Sequence, residues 1–221
     1  MSVLSRLSSQ LGDRSTRSNR GVAAECLAQP ALLAEIAGGL AGRDAALIGD
    51  CAEVLTEVAK QRPDLVTPYA QNLPALLAHT TTRVRWEALH ALALVASAAP
   101  GTIAALLGRL SDIIRDDSSV IVRDYAVDAL SNYAKTGKKA ALAAQPILLE
   151  ALTVWHGRQA AHALAGLTSV ASAVPSLSGE LRPIGVHYLG SERGVVRKAA
   201  KALLRATEAG EDGLRAPGKR G

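Results

Sequence analysis

A period of about 37 residues is the feature that most constrains the fold of this chain. Pro63, Pro100, Gly137 and Pro175 each follow a segment rich in alanine and leucine, and they are 37, 37 and 38 residues apart. Proline removes a backbone donor and clashes with the preceding helical turn, and glycine accepts the left-handed conformation that often ends a helix. These residues therefore divide the chain into helical repeats of nearly equal length.

Each repeat carries a pattern that predicts two helices. Small residues precede a leucine at helical spacing in WEALHAL (86–92), DYAVDAL (124–130), RQAAHAL (158–164) and RKAAKAL (197–203), which gives a narrow apolar stripe. An earlier helical segment with an internal proline appears in NLPALL, AQPILL and LRPIGV. A short polar turn whose Asp, Ser or Thr can cap the second helix joins the two segments. Each repeat is therefore expected to be a helical hairpin.

Stacked hairpins predict an all-α, right-handed α-solenoid. One amphipathic hairpin of this size cannot bury its apolar face alone, so neighbours must share a core. The chain has no Phe and only six Trp and Tyr residues, and alanine and leucine favour helix over strand. We expect a basic N-terminal segment with a capping helix at 1–27, five hairpins at about 28–62, 63–99, 100–136, 137–174 and 175–209, and a disordered tail at 210–221.

The hairpins resemble those of the HEAT-repeat family. The resemblance covers about residues 28–209 and depends on the proline in the first helix, the polar turn, and a Val-Arg pair that opens the second helix. That pair appears in VRWEAL, VRDYAV and VRKAAK, where the arginines are Arg85, Arg123 and Arg197. The whole chain is similar to short bacterial HEAT-domain proteins, a group from which no common activity can be carried over.

The family's Asp-Arg ladder is incomplete in this sequence. Asp117, six residues before Arg123, fits the position whose carboxylate joins the ladder between HEAT repeats. The first repeat has Ile48-Gly49 where the family has Val-Arg, and the fourth has Gly157-Arg158 and a shortened turn. The ladder carboxylate position is occupied by His79 in the second repeat and by Ser191 in the fifth. Arg85 and Arg197 therefore need partners other than a ladder carboxylate.

Charge and cysteine content point to a cytoplasmic protein with little attraction for nucleic acid. The formal net charge is +5, but residues 21–210 carry only +1 because the basic excess lies at the two ends, which we expect to be mobile. Cys26 and Cys51 are expected to be reduced, buried thiols. No signal peptide and no apolar run of membrane-spanning length is apparent. A cytoplasmic monomer is expected.

The candidate binding residues lie on the second helices. In the segment RVRWEALHALALVASAAP (83–100), helical spacing places Glu87 and His90 opposite the apolar face, with Trp86 at its edge. In HEAT-like stacks the second helices line the concave surface, so a groove is expected there, although solvated positions without a ligand are the alternative. The candidates for this groove are Trp86, Glu87, His90, Tyr125, Asp128, His162 and Lys201. A candidate basic patch on the last helix, which could also be the polar face of a terminal repeat, comprises Arg197, Lys198, Lys201 and Arg205.

These features favour a non-enzymatic module that binds a protein or peptide on the concave face, without cofactor, metal or catalytic residues. His156 and His162 are six residues apart, which does not suit a shared metal. The alternative function is nucleic-acid binding or DNA repair, because HEAT-like alkylpurine DNA glycosylases resemble this architecture. The residues nominated to hold an extruded base are Trp86, Tyr125, Asp128 and Trp155.

Overall fold

A computed structural model describes residues 2–13 and 15–215. These residues form helices and connecting turns and contain no β-strand. The α-helices are α1 Ser8–Leu11, α2 Arg17–Ala28, α3 Leu33–Gly39, α4 Ala45–Ala59, α5 Pro63–Val66, α6 Thr82–Val95, α7 Pro100–Asp116, α8 Val120–Ala134, α9 Lys138–Ala151, α10 Val154–Gly157, α11 Ala160–Ala173, α12 Ser178–Leu189 and α13 Gly194–Arg215. Short 3-10 helices lie at Leu4–Arg6, Pro30–Leu32, Thr67–Asn72, Pro74–Ala78 and Pro175–Leu177.

The chain divides into two compact units, which we call the N-terminal unit (to Leu106) and the C-terminal unit (from Leu107). In the N-terminal unit α2, α4 and α6 pack side by side, and α3 and the short helices α5 and 74–78 pack against this row. In the C-terminal unit α8, α11 and α13 form the row, and α9 and α12 pack against it. Each row therefore consists of second helices, joined in the N-terminal unit by α2 from the N-terminal segment, and the first helices of the hairpins pack against it.

The repeated leucines form the core of each unit. Leu55 and Leu92 in the N-terminal unit, and Leu130, Leu164 and Leu203 in the C-terminal unit, are fully buried. The alanines that precede Leu92, Leu130 and Leu164 at helical spacing are buried as well, which lets these helices approach closely. In α13 the pattern differs, because Ala202 is exposed and Ala200 is the buried alanine. Burial of one leucine side chain contributes about 1.5–3 kcal/mol, so these positions hold each stack together.

The first helix of the second hairpin is broken, in contrast to the continuous helix that the sequence predicts. Pro63, Pro68 and Pro74 each remove a backbone donor, and the segment folds as α5 followed by two 3-10 helices. In the fourth and fifth hairpins Pro146 and Pro183 each lie inside a continuous α-helix. Several prolines in succession thus break a helix that one proline does not.

Both ends are more ordered than the sequence predicts. Val3 and Leu7 are buried, and the Val3 backbone N–H donates to the Glu35 carboxylate over 3.1 Å, so the described part of segment 2–13 is not a mobile tail. Helix α13 continues to Arg215, past residue 210 where the disordered tail is expected to begin, and 216–221 lie outside the described residues. Gly210 is buried against Ser178 with no room for a side chain. None of the described helices has both the length and the apolar character to cross a bilayer.

Candidate functional site

Two clefts, one in each unit, lie along the rows of helices and differ in charge. We call the first the acidic cleft; it has a volume of about 440 Å³ and lies in the N-terminal unit. Its walls are residues 8–9, 13 and 15–16 together with parts of α4 and α6, and the side chains that define it are Asp50, Glu53, Arg83, Trp86 and Glu87. We call the second, of about 680 Å³ in the C-terminal unit, the basic cleft.

Helical spacing and side-by-side packing assemble the acidic cleft. Asp50 and Glu53 are three residues apart on α4 and therefore share one face. Asn19, fully buried on α2, donates to one oxygen of each carboxylate at 2.9 Å. Arg83 of α6 donates to the same two oxygens at 2.7 Å. The three neighbouring helices α2, α4 and α6 are thus joined by one polar network.

This network keeps Asp50 ionised although it is buried. Burial alone would raise the pKa of Asp50, but hydrogen bonds from Asn19, Ser9 and Arg83 outweigh it and the pKa falls below its ordinary value. Burial would likewise lower the pKa of Arg83, but its bonds to Asp50 and Glu53 raise it. The arginine therefore stays charged between two carboxylates and is fixed in place.

Glu87 is the group in this cleft with unused bonding capacity. Its Oε1 accepts a hydrogen bond from the Trp86 indole N–H at 2.8 Å, whereas its buried Oε2 has no hydrogen-bond partner. Burial raises the pKa of Glu87, the bond from Trp86 and the nearby Thr56 hydroxyl offset this only in part, and the nearby Glu53 raises the pKa further. A buried, unpaired carboxylate oxygen costs about 1–3 kcal/mol, so a donor that reaches Oε2 would stabilise the ionised form.

The structure corrects the expected position of Glu87. The sequence places this residue on the polar side of its helix, yet it is buried. The neighbouring helix α4 covers it, and the Thr56 hydroxyl donates to the Glu87 backbone carbonyl at 3.2 Å. The helical pattern of α6 alone contains no information about this neighbour, which explains the error.

Sequence reasoning missed Asn19, Asp50 and Glu53. The available signal was a pair of carboxylates three residues apart inside the apolar segment AALIGDCAEVL, about one repeat before Arg83. The Ile48-Gly49 departure from the HEAT pattern belongs to the same site. A Cβ atom at Gly49 would lie 3.3 Å from Arg83 Nη1, so glycine leaves the space through which Arg83 reaches the carboxylates.

The arginines of the Val-Arg pairs bind the turns of their own hairpins. Arg85 donates to the backbone carbonyls of His79 and Thr80 at 2.8 and 3.0 Å. Arg197 makes the same contacts with Ser191 and Glu192, both at 2.8 Å.

Arg123 follows the same pattern in the third hairpin. It donates to the carbonyl of Asp117, whose carboxylate accepts from the Ser119 N–H at 2.9 Å. The shared motif is therefore an arginine that closes its own turn by binding backbone carbonyls.

In the basic cleft the first turns of three second helices meet. Val120 of α8, Ala161 of α11 and Val195 of α13 line it, each one at or next to the start of its helix. Its polar lining residues are Asp124, His156, Arg158, His162 and Arg193. Helix N-termini carry partial positive charge, which adds to that of the basic side chains.

A strained turn forms one wall of the basic cleft. Trp155 and His156 have φ of 52° and 55°, in the left-handed region, followed by Gly157 at 71°. This conformation costs about 1–2 kcal/mol for a residue with a Cβ atom. The Trp155 indole N–H donates to the Arg115 carbonyl at 3.0 Å, and its ring covers the Arg123 guanidinium at 3.9 Å. These contacts hold the shortened turn of the fourth repeat.

The structure brings two of the predicted site residues together in the C-terminal unit. His162 Nδ1 lies 2.7 Å from Asp128 Oδ1, and this hydrogen bond raises the pKa of His162. His90 and Tyr125 are half-buried and line neither cleft, and Lys201 is exposed on α13. Trp86 and Glu87 line the acidic cleft, so the candidate set is spread over several places.

The predicted basic patch is exposed, but its members differ. Arg197 binds its own turn, whereas Lys198, Lys201 and Arg205 lie on the open face of α13.

The two cysteines are buried, and burial raises the pKa of the Cys26 thiol to about 11 and that of the Cys51 thiol to about 12. Both thiols therefore stay protonated at neutral pH. Within the described ranges, no three His, Cys, Asp or Glu side chains are arranged to hold a metal ion.

Comparison with known proteins identifies the fold. No protein-family model matches the chain, and no curated protein matches it in sequence. A designed armadillo repeat protein matches it with a TM-score of 0.68 at 17% identity, over 92% of this chain and 99% of that chain. Another, solved in complex with the peptide (KR)4, gives 0.70 at 19% identity over 92% and 99%. An engineered protein gives 0.69 at 21% identity over 95% and 100%. The chain therefore has the all-α fold of a helical-repeat solenoid, similar to that of armadillo-type designs.

Proposed function

We propose that this protein is a non-enzymatic module that binds a protein or peptide on its second helices, and that the acidic cleft receives a Lys or Arg side chain of that partner. The observation that carries the proposal is the buried Glu87 Oε2, a strong acceptor without a donor, in a cleft already lined by Asp50 and Glu53. Of the described residues that line this cleft, Arg83 is the one arginine, and it pairs with Asp50 and Glu53. A cationic side chain supplies both the missing donor and the missing charge.

The surroundings of Glu87 suit such a ligand. Trp86 lies at the rim and can contact a cation or the methylene stem of a long side chain with its ring. The network of Asn19, Asp50, Glu53 and Arg83 fixes the acidic groups before binding, which reduces the entropy lost on association. A protein of similar fold was solved in complex with the basic peptide (KR)4, which supports a basic segment as the partner.

Binding of a cation at this cleft is expected to depend on pH. Because the pKa of Glu87 is raised, part of the protein carries a neutral Glu87 at pH values where an exposed glutamate is ionised. A bound ammonium or guanidinium group favours the ionised form and displaces the proton. Affinity for a basic peptide should therefore increase as pH rises through the Glu87 pKa.

A fluorescently labelled (KR)4 peptide, titrated by fluorescence anisotropy at several pH values, tests the proposal. Glu87→Gln keeps the acceptor for Trp86 but removes the charge, so it should weaken binding about tenfold above the Glu87 pKa and abolish the increase with pH. Glu57→Gln is the matched control, because Glu57 lies on α4 and pairs with Lys60 outside the cleft. Equal affinities of the two variants would contradict the assignment of the cleft.

The glycosylase hypothesis remains a prediction, and the nominated residues already have internal partners. Trp86 donates to Glu87, Trp155 covers Arg123, and Asp128 pairs with His162. Extruded bases need an aromatic face and a carboxylate that are open to the ligand. Binding of alkylated duplex DNA that is lost in Asp128→Asn, and that falls steeply with salt, would favour this alternative over peptide binding.

A further inference from the structure

We infer that the basic cleft of the C-terminal unit is a binding site for a phosphate monoester. This site goes beyond the proposed function, because it takes an anion and shares no residue with the acidic cleft. The cleft brings together basic side chains, the N-terminal ends of three helices, and two arginines, of which Arg193 is held by backbone carbonyls and Arg158 is available to a ligand.

The cleft combines a concave surface with basic side chains. Arg158, Arg193, His156 and His162 line it together with the carboxylate of Asp124, and the Asp128 carboxylate pairs with His162. The Asp124 carboxylate accepts a hydrogen bond from the buried Gln159 side chain at 3.1 Å, which satisfies part of its bonding capacity. An anion that enters therefore meets two permanently charged arginines, Arg158 and Arg193.

Backbone N–H groups at the helix ends also favour an anion in this cleft. The first N–H groups of an α-helix have no acceptor within the helix. No side chain caps α11, which begins at Ala160 beside the lining residues Arg158 and Ala161. Helices α8 and α13 begin at the same cleft. Their aligned peptide dipoles favour an anion at this point, and they act together with the arginines.

The two arginines have different roles. Arg193 donates to the carbonyls of Gly157 and Arg158 at 3.0 and 3.2 Å, so its guanidinium is held at the cleft before any ligand arrives. Among the described residues, the Arg158 guanidinium has no hydrogen-bond or ion-pair partner. Its planar donors can bind two phosphate oxygens at once, so Arg158 is the residue expected to contact the phosphate directly.

The size of the cleft favours an ester over free phosphate. A volume of about 680 Å³ exceeds what an inorganic phosphate ion fills, and small-ligand sites range over about 300–1,000 Å³. Val120, Ala161 and Val195 provide apolar wall beside the charged groups. The phosphate can therefore bind at the helix ends while the group to which it is esterified contacts these side chains.

Calorimetric titration with inorganic phosphate, phosphoserine in a short peptide, adenosine 5′-monophosphate and acetate tests the inference at constant ionic strength. The esters should bind more tightly than inorganic phosphate, and acetate least. The two esters distinguish a phosphorylated peptide from a phosphorylated small molecule as the source of the phosphate. Failure of every phosphate compound to bind more tightly than acetate would overturn the inference.

Two variants decide whether the site, and not net charge, is responsible. Arg158→Gln should weaken binding of the esters about tenfold, with an unchanged circular dichroism spectrum. Lys139→Gln removes the same charge from the exposed face of α9 outside the cleft and should leave affinity unchanged. If both variants lose affinity for the esters to the same extent, the attraction to phosphate is diffuse and the site is overturned. The same conclusion follows if the protein binds duplex DNA and both variants lose that affinity equally.

The outcome is independent of the proposed function. Glu87→Gln alters only the acidic cleft, so it should leave phosphate affinity unchanged. Loss of peptide binding with intact phosphate binding, or the reverse, therefore shows which of the two assignments fails.

Discussion

The ion pair between His162 and Asp128 shows how one contact sets the pH dependence of stability. The hydrogen bond to Asp128 raises the folded-state pKa of His162 above its ordinary value of about 6.5. The native state therefore binds this proton more tightly than the unfolded state does. The resulting stabilisation is complete below about pH 6.5 and is lost as pH rises through the folded-state pKa.

Asp128→Asn should lower the pKa of His162 towards its ordinary value, as measured by NMR titration of the imidazole carbon-bound protons. The variant should be less stable than the wild type at acidic pH and nearly as stable above the folded-state pKa. Asp112→Asn, which removes an exposed carboxylate on α7, is the control and should leave the His162 titration unchanged. A His162 pKa that does not move in Asp128→Asn would contradict the pairing.

At the level of single residues, the sequence predicted the core better than the polar sites. Leu92 and Leu130 are buried as their repeat positions indicate, because one helical period determines which side faces inward. Glu87 was placed on the wrong side, since α4 covers it. Asn19 and Asp50 are 31 residues apart, so their contact becomes visible only when α2 and α4 are packed together.

Close approach between two helices determines which glycines the hairpins need. A Cβ atom at Gly166 of α11 would lie 2.6 Å from Leu148 Cδ2 and 2.9 Å from Leu148 Cδ1. Leu148 lies on α9 and is fully buried, so it has little room to move. Gly179 of α12 has no atom within 4 Å of the corresponding position.

Gly166→Ala should therefore lower the free energy of unfolding by about 1–3 kcal/mol through overpacking. Gly179→Ala, the matched control, should be neutral or should stabilise by up to about 1 kcal/mol, because alanine is the better helix former. Urea denaturation of both variants measures the difference. Equal effects would indicate that α9 and α11 separate easily, contrary to the packing described above.

The hairpins themselves were predictable, and their irregularities were not. A repeat of 37 residues defines helix pairs because periodic apolar positions need periodic partners. The left-handed conformation of Trp155 and His156 depends on the Arg115 carbonyl and the Arg123 guanidinium, which lie more than 30 residues earlier in the sequence. The conformational propensity of the local sequence carries no information about such distant contacts, so the sequence predicted only a simple turn there.

For the molecule as a whole, net charge is a poor guide to local chemistry. The formal charge of +5 gives no sign of an acidic cleft in one unit and a basic cleft in the other. Each cleft is lined by residues of a single unit. Neither site therefore needs a residue of the other unit to be complete, and their ligands are expected to bind independently.

Independence can be measured with the labelled (KR)4 peptide titrated in the presence and absence of saturating adenosine 5′-monophosphate, at constant ionic strength. Peptide affinity should change by less than about twofold, which corresponds to a coupling free energy below about 0.4 kcal/mol. Arg158→Gln protein, measured in the same way, reports any direct association of the nucleotide with the basic peptide. A tenfold change in the wild type that is absent in Arg158→Gln would contradict independence, because linkage then requires that each ligand alters the other's site by the same factor.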